Sequence, residues 1–142
     1  MNEAQAVMDI AISINAHFRF GVDSIDMFFE GQERTAPQKP LWVEVLRFGP
    51  FFNYRLNDDI IITFQVQINC FAQDTANIYG STRIAADFAK RACEPMYFEY
   101  LDDCANCQNL QVLEKGRIEQ RGEILTTVVR ADYSLVVPKR GV

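Results

Sequence analysis

The sequence predicts an α+β domain: a mostly antiparallel sheet of about five strands with two helices packed on one face, in the order α-β-β-β-α-β-β. Three observations predict it. Two segments carry apolar residues at helical spacing, and each has one apolar stripe to bury. The longest strand candidate alternates apolar and polar residues along its whole length, so one of its faces is core and the other is wet. The 142 residues show no internal repeat, low-complexity tract or composition break. Residues 1–142 are therefore read as one domain, near the commonest domain size.

The first helix is expected over Asn2 to Arg19. Ala4, Val7, Met8, Ala11, Ile14 and Phe18 form its stripe. Asn2 caps it, Gln5 stands in the reciprocal position and Gly21 stops it. A short strand follows at Ile25 to Phe29, and Glu30 to Pro40 is a loop because it holds Gly31, Pro37 and Pro40. Leu41 to Phe48 is a strand broken by Gly49 and Pro50, and Phe51 to Asn57 reads as an aromatic loop or an edge continuation. Asp59 to Phe71 is the alternating strand, with Ile60, Ile62, Phe64, Val66, Ile68 and Cys70 on the core face.

The second helix is expected over Asp74 to Cys93, capped by Asp74 and stopped by Pro95. Its stripe is Ile78, Ser81, Ala85, Phe88, Ala89 and Ala92. Met96 to Asn109 is read as a loop or short irregular helix. A long hairpin ends the domain: Leu110 to Gln120 and Glu123 to Val137 flank a turn at Arg121-Gly122. Leu125, Thr127, Val129, Ala131, Tyr133 and Leu135 share its apolar face, and Pro138 to Val142 is a short basic tail.

Composition narrows the function classes. Hydrophobic residues make up 49% and aromatics 12%, enough to build a core and inconsistent with a wholly disordered chain. Fourteen basic and 19 acidic residues give a formal charge of −5, which disfavours tight binding to a phosphate backbone. No segment reaches the ~18 consecutive apolar residues of a membrane helix. Met1-Asn2-Glu3-Ala4 has neither the basic nor the apolar stretch of an export signal. A chain kept in a reducing compartment is expected, with Cys70, Cys93, Cys104 and Cys107 as free thiols.

Candidate chemistry is sparse. His17 is the single histidine, and no Gly-x-Ser-x-Gly or phosphate-cradling glycine motif occurs. Cys104-Ala105-Asn106-Cys107 is a Cys-x-x-Cys, but Cys70 and Cys93 are poorly placed to complete a four-ligand zinc site. The preceding Asp102-Asp103 opposes a lowered thiol pKa. Asp58-Asp59 and Asp102-Asp103 are read as solvated loop ends, because neighbours on a strand point to opposite faces. No catalytic residue, cofactor or metal is expected. Phe48, Phe51, Phe52 and Tyr54 crowd around Gly49-Pro50 between Arg47 and Arg55, which is an interface composition. Phe51, Phe52, Tyr54 and Arg55 are the expected partner contacts.

Taken together, these segments resemble the tail terminator family of long-tailed bacteriophages. The resemblance rests on the amphipathic first helix, then Pro40-Leu41-Trp42-Val43-Glu44-Val45 and Arg47-Phe48-Gly49. The long strand ending Gln67-Ile68-Asn69-Cys70-Phe71-Ala72, the Ala-rich second helix and the closing hairpin complete it. It spans roughly the whole chain. Met96 to Asn109 is longer and richer in Cys than the family pattern. The resemblance implies a homohexameric ring, a structural virion protein assembled in the host cytoplasm. Such a ring caps the tail tube, ends its polymerisation and joins the tail to the head connector or stopper. Its partners would be other copies of itself, the tube protein and the connector, with genome DNA passing through without specific binding and with no membrane. An acidic wall suits that passage. Two alternatives remain: another neck or head-completion ring protein, and a small α+β metal, redox or ligand-binding domain using the Cys pair.

Overall fold

The computed structural model describes residues 1–20, 25–30, 36–73, 80–118 and 124–138. Eight elements follow in chain order: α1 (Glu3–Phe18), β1 (Ile25–Phe29), β2 (Leu41–Tyr54), β3 (Asp59–Gln73), α2 (Gly80–Ala92), β4 (Met96–Phe98), β5 (Asp103–Ile118) and β6 (Ile124–Pro138).

The alternation along β3 is realised residue by residue. Ile60, Ile62, Phe64, Val66, Ile68 and Cys70 are buried, and the residues between them are exposed or half-buried. β3 pairs antiparallel with β2 on one side and β6 on the other. On β6 the same period buries Thr127, Val129, Ala131, Tyr133, Leu135 and Val137.

The expected mostly antiparallel sheet of about five strands, with two helices packed on one face, is not what forms. The sheet has six strands in the order β1-β2-β3-β6-β5-β4. It is mixed, because β1 runs parallel to β2. Strands hold more than half of the described residues, so the class is tipped toward β. The sheet also curls into a half-barrel. α1 touches both β2 and β4, which stand near opposite ends of the strand order, while α2 rests on β3, β5 and β6. The curl brings the strands around both helices. Long, strongly twisted strands wrap their concave side around the apolar helix surfaces.

Three element boundaries also differ from expectation. β2 does not stop at Gly49-Pro50. It passes through a bulge between Phe48 and Phe51 and runs on to Tyr54, so the aromatic stretch is strand. Met96 to Asn109 is not a loop: β4 turns through Glu99 to Asp102 into β5, which starts at Asp103. Asp102, at φ 50°, takes the left-handed position in that turn, and Asp58, at φ 64°, does so between β2 and β3. Asp tolerates this conformation because its short polar side chain bonds locally.

α1 begins as expected, with the Asn2 side chain accepting the Gln5 amide at 3.3 Å. It buries a different stripe, however: Ala6, Ile10, Ile14, His17 and Phe18, with Met8 63% exposed. The helix is apolar almost all round, so spacing alone fits two stripes. The fit against β2, β4 and α2 selects one. α2 buries Gly80, Ser81, Ile84, Ala85, Phe88 and Ala92. The proposed cap Asp74, the stripe residue Ile78, the stop Gly21 and the turn Arg121-Gly122 lie outside the described residues, as do Gly31 and 139–142 of the tail.

The core centres on Tyr133. Its ring stacks on Phe64 at 5.1 Å between centroids, and Phe98 meets Phe64 edge-on at 5.8 Å. Its hydroxyl donates to the Ala92 carbonyl at 2.8 Å, tying the end of α2 to β6. A second tie joins the ends of the two helices. His17 Nε2 lies 2.7 Å from the Arg91 carbonyl, and Arg91 Nε donates to the His17 carbonyl at 2.6 Å. Both ends of the described chain emerge at one end of the sheet. Glu3 meets Tyr54 beside the β2–β3 turn, and Pro138 faces Asp59.

Candidate functional site

The aromatic segment of β2 is built around Gly49. Its φ of +97° is open to glycine, and a Cβ there would lie 3.1 Å from the Thr63 carbonyl oxygen and 3.1 Å from the Phe51 ring. The peptide between Gly49 and Pro50 is cis. The bulge beyond it resets the register, so Phe51 pairs with Thr63 on the convex face and Phe52 with Ile62 on the concave face.

The four expected contact residues are thereby split. Phe51 is 65% exposed on the convex side. Phe52 packs against the core cluster. Tyr54 is half in solvent, and its hydroxyl donates to the Glu3 carboxylate. That bond pushes its phenol above the ordinary value. The Arg55 side chain is exposed, while its backbone amide closes the turn on the Asp59 carbonyl at 2.9 Å. Exposed Phe48, and Leu56 at the turn, extend the apolar surface beyond the expected four.

The four thiols do not gather at one place, although Cys93 lies near Cys107, whose thiol is raised by burial first and by Cys93 second. Cys70 is buried, and burial pushes its thiol up to about 12. Cys104 and Cys107 lie on β5, a strand, where residues three apart point to opposite faces about 10 Å apart along the chain. Cys104 is exposed opposite Tyr97, while Cys107 packs on the core opposite Tyr133. The Cys-x-x-Cys spacing therefore does not converge on a ligand. Among the described residues, no group of three or more His, Cys, Asp or Glu side chains is placed to hold a metal ion. His17 is buried and hydrogen-bonded, and burial holds its imidazole below the ordinary value.

The largest feature is the pair of sheet ends. β1 covers only Leu41 to Val45 of β2. Beyond it, the Glu30 carboxylate accepts the Arg47 amide at 2.9 Å, and no described strand flanks Leu46 to Tyr54 on that side. At the opposite end β4 covers only Asp103 to Ala105 of β5, and no described strand flanks Asn106 to Ile118. Val112 and Leu113 stand exposed there. The sequence predicts the Leu110 to Ile118 part of this edge as strand, but not β4 or the start of β5, because Met96 to Asn109 reads as a loop. The signal was the buried alternation Met96, Phe98 and the buried Ala105 after the turn.

No family model matches the chain, and no curated protein does. Ten chains of solved structures match it. One of them, whose name states no function, superposes with a TM-score of 0.58 at 11% identity, over 94% of this chain and 95% of that chain. The likeness shows a shared fold across the whole domain and carries no activity.

Proposed function

We propose that this chain is a ring-forming structural subunit of a phage virion, a tail terminator that caps the tail tube and joins it to the head connector. One observation carries the reading from the structural side. Among the described residues, a single curled sheet leaves two different stretches of edge open, one at each end of its strand order. A closed ring needs two unlike surfaces on each subunit, so that one edge meets a different edge of its neighbour. The segment order and the Pro40-to-Gly49 stretch support the family, and the formal charge of −5 suits a wall past which DNA slides.

The test is loss and restoration of tail length. Removing the gene from the phage that encodes it should give overlong tubes and heads without tails, and purified protein added to unjoined tails should restore joining. Tubes of normal length in its absence would overturn the reading. Binding to filled heads and not to tails would favour the head-completion alternative.

A further inference from the structure

The two open edges are not merely unlike; they are diagonal. The registers fix their heights on the sheet. Phe28 of β1 pairs with Glu44, Glu44 with Asn69, Asn69 with Val128 and Val128 with Leu113. One row across the sheet therefore runs from β1 at one end to the open part of β5 at the other. A second row runs from Phe51 through Thr63 and Ser134 to Asn106. β4, paired with Asp103 to Ala105, lies just past that row, level with Phe52 to Tyr54 of the open part of β2. Each end of the sheet thus has a short projecting strand at one height and a notch at the other. The projections stand level with the opposite notches.

We infer that neighbouring copies join by interlocking these steps. β1 of one copy enters the notch beside Asn106 to Ile118 of β5, and β4 of the second copy enters the notch beside Leu46 to Tyr54 of the first. Direction permits it. Along β2, β3, β6 and β5 each strand is antiparallel to the last, so β5 runs opposite to β2 and to β1. A rotation that keeps strand direction sets β1 antiparallel to β5, the pairing the rest of the sheet uses, and β4 parallel to β2.

Chemistry points to the same surfaces. Asn106 to Leu113 contains no charge and no proline, the two devices by which open edges are ordinarily defended, while the part of the notch level with β1 also holds Glu114, Lys115 and Arg117. The open part of β2 carries one charge, Arg47, and one proline, Pro50, so that notch is the better defended of the two. Among the described residues, the exposed apolar side chains Phe48, Phe51 and Tyr54 line one notch and Val112 and Leu113 the other, while Tyr97 stands on the projecting β4. Joining sets Tyr97 of one copy on the same face as Phe51 of the other, two residues along, and covers part of both rings. A second copy of this chain is the occupant that supplies both a strand of the right direction and a step of the right height.

The inference rests on the ring reading but fails separately from it. Cys93, Cys104 and Cys107 are first replaced by serine. Phe28→Cys and Leu113→Cys are then placed on separate chains, mixed at rising concentration and treated with a short bis-maleimide. The mixture should give cross-linked pairs, each variant alone should not, and a chain carrying both should give a ladder of multiples. Val112→Lys should weaken association at least about tenfold without changing the melting temperature of the dilute monomer. Association undiminished in Val112→Lys, with no cross-link, would show that copies meet elsewhere; the ring would survive and this joint would not. A chain that stays monomeric at every concentration and is present as a single copy on the particle would overturn both.

Discussion

At the scale of single residues, Gly49 and His17 each have a definite expected phenotype. Gly49→Ala forces a Cβ onto a left-handed φ and against the Thr63 carbonyl. It should lower stability by about 1–3 kcal/mol in denaturant titration, with loss confined to the β2 bulge. His17 is held below its ordinary value chiefly by burial, and the positive Arg91 side chain adds to this. The bond to the Arg91 carbonyl and the Glu94 charge oppose it. The unfolded chain therefore takes up the proton first, near the ordinary imidazole value of about 6.5. Stability should fall as pH drops below that value, with the loss complete once the folded imidazole is also protonated. His17→Gln should flatten the pH profile there; an unchanged slope would place the titration elsewhere. Tyr133→Phe removes a buried donor and leaves the Ala92 carbonyl unpaired, costing about 1–3 kcal/mol in the same titration.

At the scale of elements, the aromatic stretch divides into two tasks. Phe52→Ser should lower the melting temperature, because Phe52 packs on the core. Phe51→Ser should leave it nearly unchanged and weaken assembly, because that ring stands in solvent. A Phe51→Ser chain that melts early would show that the convex face is needed for folding. This division was invisible in sequence, since the bulge that swaps the faces at Phe51 depends on a backbone detail at Gly49. β3 was legible because a period of two over a dozen residues admits one reading, whereas β6 also buries Thr126 and Val128 on its other face, which alternation does not show. α1 was legible as a helix but not in its facing, as Ala4 and Met8 are as apolar as Ala6 and Ile10. β4 was illegible because three residues are too few to show a period, and its loss hid the start of β5. The parallel pairing of β1 depends on where the chain returns after Glu30, and nothing local in Ile25–Phe29 encodes that.

At the scale of the whole molecule, the half-barrel could not be read from the chain, because curl belongs to the whole sheet and its packing on both helices, and no local pattern encodes it. The antiparallel expectation held for the inner strands and failed at the end where β1 joins. If copies associate through native surfaces, mass action raises apparent stability with concentration. The melting temperature should therefore climb as the protein is concentrated, and Val112→Lys should abolish that climb; a flat response in the unmodified chain would argue against native association. The exit of both described chain ends beside the β2–β3 turn has a further use. If the strands run along the axis of an assembled ring, the molecule is a compass needle with both ends of the thread tied to one pole. A gold-labelled tag on either terminus should decorate the same rim under the electron microscope and reveal which rim faces the head. Labels gathered on the inner or the outer circumference would mean that the strands lie across the axis.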